Sequence, residues 1–549
     1  MSHFSCQRRR TVTVSVGNPA ITIGSEAPVR IQSMASTPTL DTEASVTQGR
    51  SIIEAGAELL RYTAQGVMHA RNLGEIRKRL RELGFVTPIV ADIHFNPKAA
   101  FEAATQVDKV RINPGNFIDP GRVFRKIDYT DAEYEAELRR LDDALIPFLE
   151  LCKSRSVAIR IGVNHGSLSD RIMSRYGDTP EGIVESALEF LRVCRRTGFS
   201  DVVVSVKASN VALMVSTVRL LVNRMDSEGL HFPLHLGVTE AGDGDDGRIK
   251  SAVGIGTLLS EGIGDTIRVS LSEAPEAELP VARALVDYIA LKAQAPEVPG
   301  ELLPGYDPIF PVTEQISPIG KDRFPIVVGA DIPLHDLDMQ RFRAEELWGE
   351  LPASLQPGRI ILLHTDHGNP SAAILAAIHN LRRRGALNPI IISASYTSLT
   401  PEEVTLRSSV DLGAIFLAGF GQGIHIEADC LTPDKATQLA FGILQATRRR
   451  ITRTEYIACP GCGRTLFDLP GTLAAVKKAT AHLTGLKIGV MGCIVNGPGE
   501  MADADYGYVG AGPGSISLYR GKQCVCKGIP QAEAVDRLVE LIKADGLWK

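Results

Sequence analysis

Two short stretches decide the fold: Lys109-Val-Arg-Ile-Asn113 and Ala158-Ile-Arg-Ile-Gly-Val-Asn164. Each alternates β-branched residues with polar ones, the period-2 pattern of a strand. Alternation puts Arg111 with Asn113, and Arg160 with Asn164, on one face. Val110 and Ile112 take the opposite face, where helices would cover them. Runs of the same kind recur outward in both directions. Upstream stand Val29–Ser33, Glu58–Thr63 and Pro88–His94. Downstream stand Asp201–Lys207, Pro233–Glu240 and Thr266–Ser270. The intervening segments carry apolar residues at helical spacing, as in residues 181–191. Eight βα units between residues 28 and 295 match the size and rhythm of a TIM barrel. Residues 12–23, with Gly-Asn-Pro inside, read as a hairpin ahead of the first strand, placed to plug the barrel floor.

In such a barrel the reactive end is the C-terminal end of the strands. Those ends carry Arg61, Arg111, Arg160, Lys207 and Arg268, with Asn113, Asn164 and Ser270 on the same faces. Five buried cations repel one another unless an anion or rim carboxylates compensate them. Arginine forks fit phosphate oxygens in a bidentate way. The expected ligand is a diphosphate or similar polyanion. Acid–base candidates are fewer: Glu240 ends the seventh run, and Asp92 and His94 end the third.

A Pro- and Gly-rich linker at residues 296–310 precedes a second α/β stretch. Its expected strands are Pro325–Val328, Arg359–Leu363, Pro389–Ile392 and Ala414–Leu417, and it has the look of half a barrel. The last hundred residues hold Cys459-Pro-Gly-Cys462-Gly-Arg and, further on, Gly492-Cys493-Ile-Val-Asn-Gly-Pro-Gly-Glu500. CxxC lets two sulfurs of one loop grip one metal or cluster. Cys493 supplies a third thiol and Glu500 a harder oxygen ligand, which leaves one iron of a cluster open to a small molecule. A structural zinc site would usually show a second CxxC. Zinc thus remains the alternative, within a phosphometabolite-binding protein. Cys524 and Cys526 are rival ligands. Gly242–Gly247 fits G-x-G-x-x-G, but its aspartates would repel a pyrophosphate. His364-Thr-Asp-His367 has no further ligand nearby in the sequence.

The expected domains are a barrel at 1–298, an α/β insert at 299–447 that is partly barrel-like, and a C-terminal α+β iron–sulfur domain at 448–549. The 549-residue chain is 44 % hydrophobic and 22 % charged, with a net charge of −5. That excludes a general nucleic-acid binder. No apolar run is long enough to span a bilayer, so no membrane association is expected. Nine scattered cysteines argue against a disulfide framework and for a reducing, cytoplasmic setting.

Nine segments together resemble the 4-hydroxy-3-methylbut-2-enyl diphosphate synthases: VRIQSMAS, ADIHF, VRINPGN, IRIGVNHGSL, VSVKAS, HLGVTEAG, GIGDTIRVSL, ACPGCGRT and GCIVNGPGE. They occur in family order over residues 8–295 and 450–510. The insert resembles the three-domain form of that family. The resemblance implies reductive ring opening and dehydroxylation of 2-C-methyl-D-erythritol 2,4-cyclodiphosphate in isoprenoid biosynthesis. It implies a [4Fe–4S] cluster on Cys459, Cys462, Cys493 and Glu500. It implies that Arg61, Asp92, His94, Arg111, Asn113, Arg160, Asn164, Lys207, Arg268 and Ser270 bind substrate, with Glu240 as proton donor. Ferredoxin or flavodoxin is the implied electron donor. In the two-domain form the cluster of one subunit serves the barrel of the other. The insert would make each chain self-sufficient, and a homodimer is also compatible.

Overall fold

The computed structural model describes residues 4–119, 127–306, 313–320, 323–465, 467–495 and 497–548. These fall into two compact units. The larger holds Arg10–Gly244, Gly264–Ala282 and Arg453–Lys549; the smaller holds Met1–Arg9, Asp245–Ile263 and Arg283–Thr452. The last hundred residues thus group with the barrel strands, and residues 245–263 and 283–298 group with the middle segment.

The larger unit begins with the antiparallel hairpin β1 (Val14–Val16) and β2 (Ile21–Ile23). Eight parallel strands follow: β3 (Arg30–Met34), β4 (Leu59–Ala64), β5 (Ile89–Ile93), β6 (Lys109–Ile112), β7 (Ala158–Asn164), β8 (Val202–Lys207), β9 (His235–Leu236) and β10 (Thr266–Ile267). Their order is β8-β7-β6-β5-β4-β3-β10-β9, and a Val204–Leu234 bridge joins the two ends into a barrel. All eight expected runs form strands here, although the last two are regular over two residues each.

Local chemistry sets the helix starts. Asp41, Asn96, Thr179 and Asn210 each accept a backbone N–H at the head of the helix that follows. Below the strands, Val14, Val16 and Ile23 of the hairpin pack on Leu59, Val90, Ala158 and Val203. Each buried valine, leucine or isoleucine among them contributes roughly 1.5–3 kcal/mol. The hairpin therefore closes the barrel floor with an apolar plug.

The smaller unit is built on a five-stranded parallel sheet: β11 (Ile326–Val327), β12 (Met339–Arg343), β13 (Ile360–His364), β14 (Ile390–Tyr396) and β15 (Gly423–Ala428), in the order β11-β15-β14-β13-β12. Residues 414–417, expected as a strand, instead end the helix Pro401–Leu417. A four-residue apolar run suits a buried helix as well as a buried strand, and the strand lies just beyond it. Edge strand β12 escaped notice because Gln340, Arg341 and Arg343 break its apolar pattern.

The rest of the larger unit is a mixed sheet: β16 (Glu455–Ala458), β17 (Lys487–Met491), β18 (Tyr506–Gly512), β19 (Ser515–Arg520) and β20 (Gln523–Pro530), in sequential order. Helices Leu469–Thr480 and Gln531–Ala544 contribute to its core with Leu473, Val476, Leu538 and Ile542. Among the described residues no helix is long and apolar enough to cross a membrane.

Candidate active site

The C-terminal sheet is fastened to the barrel mouth at several points inside the larger unit. Ala241 and Ala458 form a parallel bridge, and Ser272 Oγ donates to the carbonyls of Ala458 at 3.2 Å and Cys459 at 2.9 Å. Gly166, at φ +70°, lies so close to Gly499 that a Cβ on it would stand 2.0 Å from the Gly499 carbonyl oxygen. A Cβ on Gly463 would stand 2.5 Å from the Thr37 carbonyl oxygen. These are backbone-on-backbone contacts that only glycine permits.

A cavity of about 90 Å³ lies at this junction. From the barrel it is lined by Arg61, Asp92, His94, Arg111, Arg160, Asn164, Lys207, Glu240, Arg268 and Ser270. From the C-terminal sheet it is lined by Cys459, Cys462, Cys493 and Glu500. Of the expected substrate, proton-donor and cluster residues, all but Asn113 are in this lining. Its side-chain oxygen accepts from Gly115 N at 3.0 Å and caps the short helix Pro114–Phe117.

The cations are not all equivalent. Arg268 is buried and paired in a two-pronged fashion with Glu278, Nε to Oε2 at 3.0 Å and Nη2 to Oε1 at 2.9 Å. Arg111 donates to Asp92 Oδ1 at 3.0 Å and to the Gly162 carbonyl at 2.9 Å, and touches His94 Nε2. Rim carboxylates thus compensate these two. Among the described residues Arg61 donates to the Met34 sulfur, at 2.8 and 3.0 Å, and to no carboxylate. Arg160 has Nε and Nη1 buried with no hydrogen-bond partner among the described residues. Burial, then the neighbouring cations, depress the proton affinity of the unbalanced groups. Arg61 is brought down to about 10, with Asp92 and Glu278 partly opposing the shift. Arg160 and Lys207 are held well below their ordinary values. A polyanion in the cavity would reverse the repulsive part of this shift.

Two further groups are tuned. Burial, with Arg111 beside it, lowers His94 to about 3, so the ring is neutral at ordinary pH. Burial opposes ionisation of Asp92, yet Arg111, Arg61 and His94 together hold it well below the usual carboxylate range. Burial, then Glu500, pushes Glu240 well above the ordinary carboxylate value, and its Oε2 has no partner among the described residues. Glu240 also sits at φ +50°, a left-handed backbone that costs about 1–2 kcal/mol for a side chain of its kind. The adjoining Ala241–Ala458 bridge holds it there.

Gly492 N donates to Cys459 Sγ at 3.2 Å, and Gly461, at φ +77°, turns the CxxC loop. Burial pushes the Cys459 thiol up, so a thiolate there needs a cationic partner such as iron. Three thiols and one carboxylate on the same cavity wall are a donor set that suits a polynuclear iron–sulfur cluster, with one ligand to each iron. Cys524 and Cys526 lie on β20 and do not line the cavity.

Sequence reading missed Arg464, Glu278 and Met34. Arg464 lines the cavity, lies 3.9 Å from Asp92 and is kept strongly protonated: burial opposes the charge, but Cys462, Asp92 and Cys493 outweigh it. Its position directly after Cys462-Gly was the available signal. Glu278 carries no such signal, since only the chain's return toward β3 brings it to Arg268 and to Ser33 Oγ at 2.9 Å.

Comparison with known proteins places this geometry in context. Residues 11–283 match the family model described as the GcpE TIM-barrel domain, and residues 455–544 match the GcpE protein C-terminal domain. The chain is 49 % identical to 4-hydroxy-3-methylbut-2-en-1-yl diphosphate synthase (flavodoxin) of Parabacteroides distasonis, with 100 % of each chain covered. It is 49 % identical to the protein of the same name from Porphyromonas gingivalis, covering 100 % of this chain and 99 % of that one. For the Chlamydia felis protein of that name the identity is 41 %, again over 100 % and 99 %.

Proposed function

The chain belongs to the GcpE family, and from that premise we propose how its cavity carries out the family's reaction. It is an enzyme, an oxidoreductase of isoprenoid biosynthesis that forms 4-hydroxy-3-methylbut-2-en-1-yl diphosphate by reduction. In our reading the substrate, 2-C-methyl-D-erythritol 2,4-cyclodiphosphate, lays its two phosphates on Arg61, Arg111, Arg160, Lys207 and Arg268. Asn164 and Ser270 complete the grip. Asp92 and His94 hold the Arg111 fork in place, and Asn113 steadies the loop beneath by capping. Cys459, Cys462, Cys493 and Glu500 would hold a [4Fe–4S] cluster, which when bound supplies the two electrons of the reduction, drawn from a flavodoxin.

The protein's own groups do the rest. Glu240 keeps its proton in the closed site and gives it from Oε2 to the departing hydroxyl, which leaves as water. The glycine contacts at Gly166 and Gly463 bring the two walls together and keep bulk water from the reacting carbon. We also retain the division into a substrate barrel at 1–298, an insert at 299–447 and a cluster domain at 448–549 as part of this reading.

The observation that carries it is a single cavity whose one wall is cationic and whose other wall carries three thiols and a carboxylate. Anaerobic purification tests it. Iron and acid-labile sulfide should be present in equal amounts, with broad visible absorbance that changes on adding the cyclodiphosphate. A colourless zinc protein without sulfide overturns the reading.

A further inference from the structure

Lys109 stands two residues before Arg111 on β6, on the same face and one step deeper in the barrel. Gln32 stands likewise before Met34 on β3, and His235 of β9 stands two residues before Gly237, just past the strand's end. A Cβ on Gly237 would stand 2.6 Å from Lys207 Nζ, so that position faces the barrel interior. All three side chains are buried to 1 % exposure or less. Lys109 Nζ, both amide atoms of Gln32 and His235 Nε2 have no hydrogen-bond partner among the described residues. At this depth a TIM barrel is ordinarily filled with Val, Ile and Leu. The apolar plug of Val14, Val16 and Ile23 seals the space from below.

So many unmatched polar atoms in a closed interior weigh against folding. Ordered water, held by several polar partners, is what normally satisfies such groups. The charged groups acting on Lys109 are Arg160 and Arg61, and those acting on His235 are Arg160, Lys207, Arg61 and Lys109; none of them is a carboxylate. The layer thus meets cations and no carboxylate among these groups, and Arg61 and Arg160 connect it to the cavity above.

We propose that the polyanion site is two tiers deep, with Lys109, Gln32 and His235 forming a lower polar tier in which the Lys109 ammonium and a diphosphate held by Arg61 and Arg160 stabilise each other. This rests on reading the cavity as the diphosphate site. Lys109 is thus a positioning residue that never touches the substrate. Burial, then Arg160 and Arg61, hold its ammonium well below the usual lysine value in the free protein. A polyanion bound above offsets that repulsion and favours the ammonium. The arrangement sacrifices stability of the free fold for attraction toward the ligand.

That trade gives a test which a merely structural lysine fails. In the full-length, cluster-loaded protein, Lys109→Met removes the charge and the unmatched donors while nearly keeping the volume. It should raise the thermal midpoint while weakening binding of inorganic diphosphate roughly tenfold, the scale of one unit charge several ångströms away inside a protein. KM should rise with kcat unchanged. Lys109→Gln should weaken binding equally. Unchanged diphosphate affinity in Lys109→Met, or a lowered midpoint, overturns the proposal, as does failure of both variants to fold. Arg160→Met is the control for the underlying reading. If it weakens diphosphate binding and Lys109→Met does not, only the lower tier is wrong. If neither variant weakens binding, the cavity is not the diphosphate site.

Discussion

Asn164, at the end of barrel strand β7, donates from Nδ2 to Glu500 Oε1 of the C-terminal segment at 2.6 Å. One side chain thereby joins the cationic wall to the proposed cluster wall. Its Oδ1 also accepts from Arg111 Nη2 at 3.4 Å, so Asn164 sets the relative position of a proposed phosphate-holding fork and a proposed iron ligand.

Asn164→Ala removes a hydrogen bond to a carboxylate, worth about 1.5–3 kcal/mol where that group is charged. Turnover should fall roughly 10- to 100-fold, converting that energy into rate. Asn164→Asp should fall further, because a new carboxylate then faces Glu500. Steady-state assays with a chemically reduced flavodoxin measure both, and wild-type turnover in Asn164→Asp would remove the residue from this role.

Gly166→Ala should separate the two half-sites. Its φ of +70° and the 2.0 Å approach of its built Cβ to the Gly499 carbonyl leave no room for a methyl group. The loop carrying Glu500 must move. We expect turnover to collapse while the barrel still binds inorganic diphosphate, as read by calorimetry. Loss of diphosphate binding as well would mean that the contact shapes the barrel itself.

Glu278→Leu leaves Arg268 buried without its carboxylate. Breaking a buried pair in this way costs about 3–5 kcal/mol of stability. Adding Arg268→Met should restore most of that stability in denaturant titrations, yet leave substrate affinity poor. If the single and double variants are equally unstable, Glu278 supports the fold through Ser33 and the Leu271 backbone rather than through Arg268.

The pH profile of stability follows from His94. Its value in the folded protein, about 3, lies below the free-histidine value of about 6.5. The unfolded chain therefore takes up the proton first, and stability drains as pH falls. The His94 contribution is complete above about 6.5 and declines until about pH 3. Denaturant midpoints between pH 7 and 4 should drop less steeply in His94→Gln than in the parent. Parallel slopes would show that other groups dominate.

Much of this was legible in the chain. The period-2 runs around Arg111 and Arg160 expose both the strand and the face, because side chains alternate in a pleated strand. The CxxC loop and Glu500 stand out because two thiols at that spacing can grip one metal or cluster and a nearby carboxylate can complete it. The pairing of individual cations was not legible. Asp92 lies one strand from Arg111, and Glu278 reaches Arg268 only after a turn toward β3. The strand at Gly423–Ala428 was missed because the apolar run before it suits helix equally well.

Local sequence by itself determined the eight-strand barrel, the direction in which its arginines point and which three thiols were candidates for the cavity wall, since these follow from side-chain periodicity and ligand chemistry over a few residues. Only the tertiary structure decided which cations have carboxylate partners, that Glu240 faces Glu500, and that a layer around Lys109 whose polar atoms lack partners among the described residues lies under the cavity. Burial and long-range electrostatics depend on what the rest of the chain brings alongside, and no window of neighbouring residues contains that information.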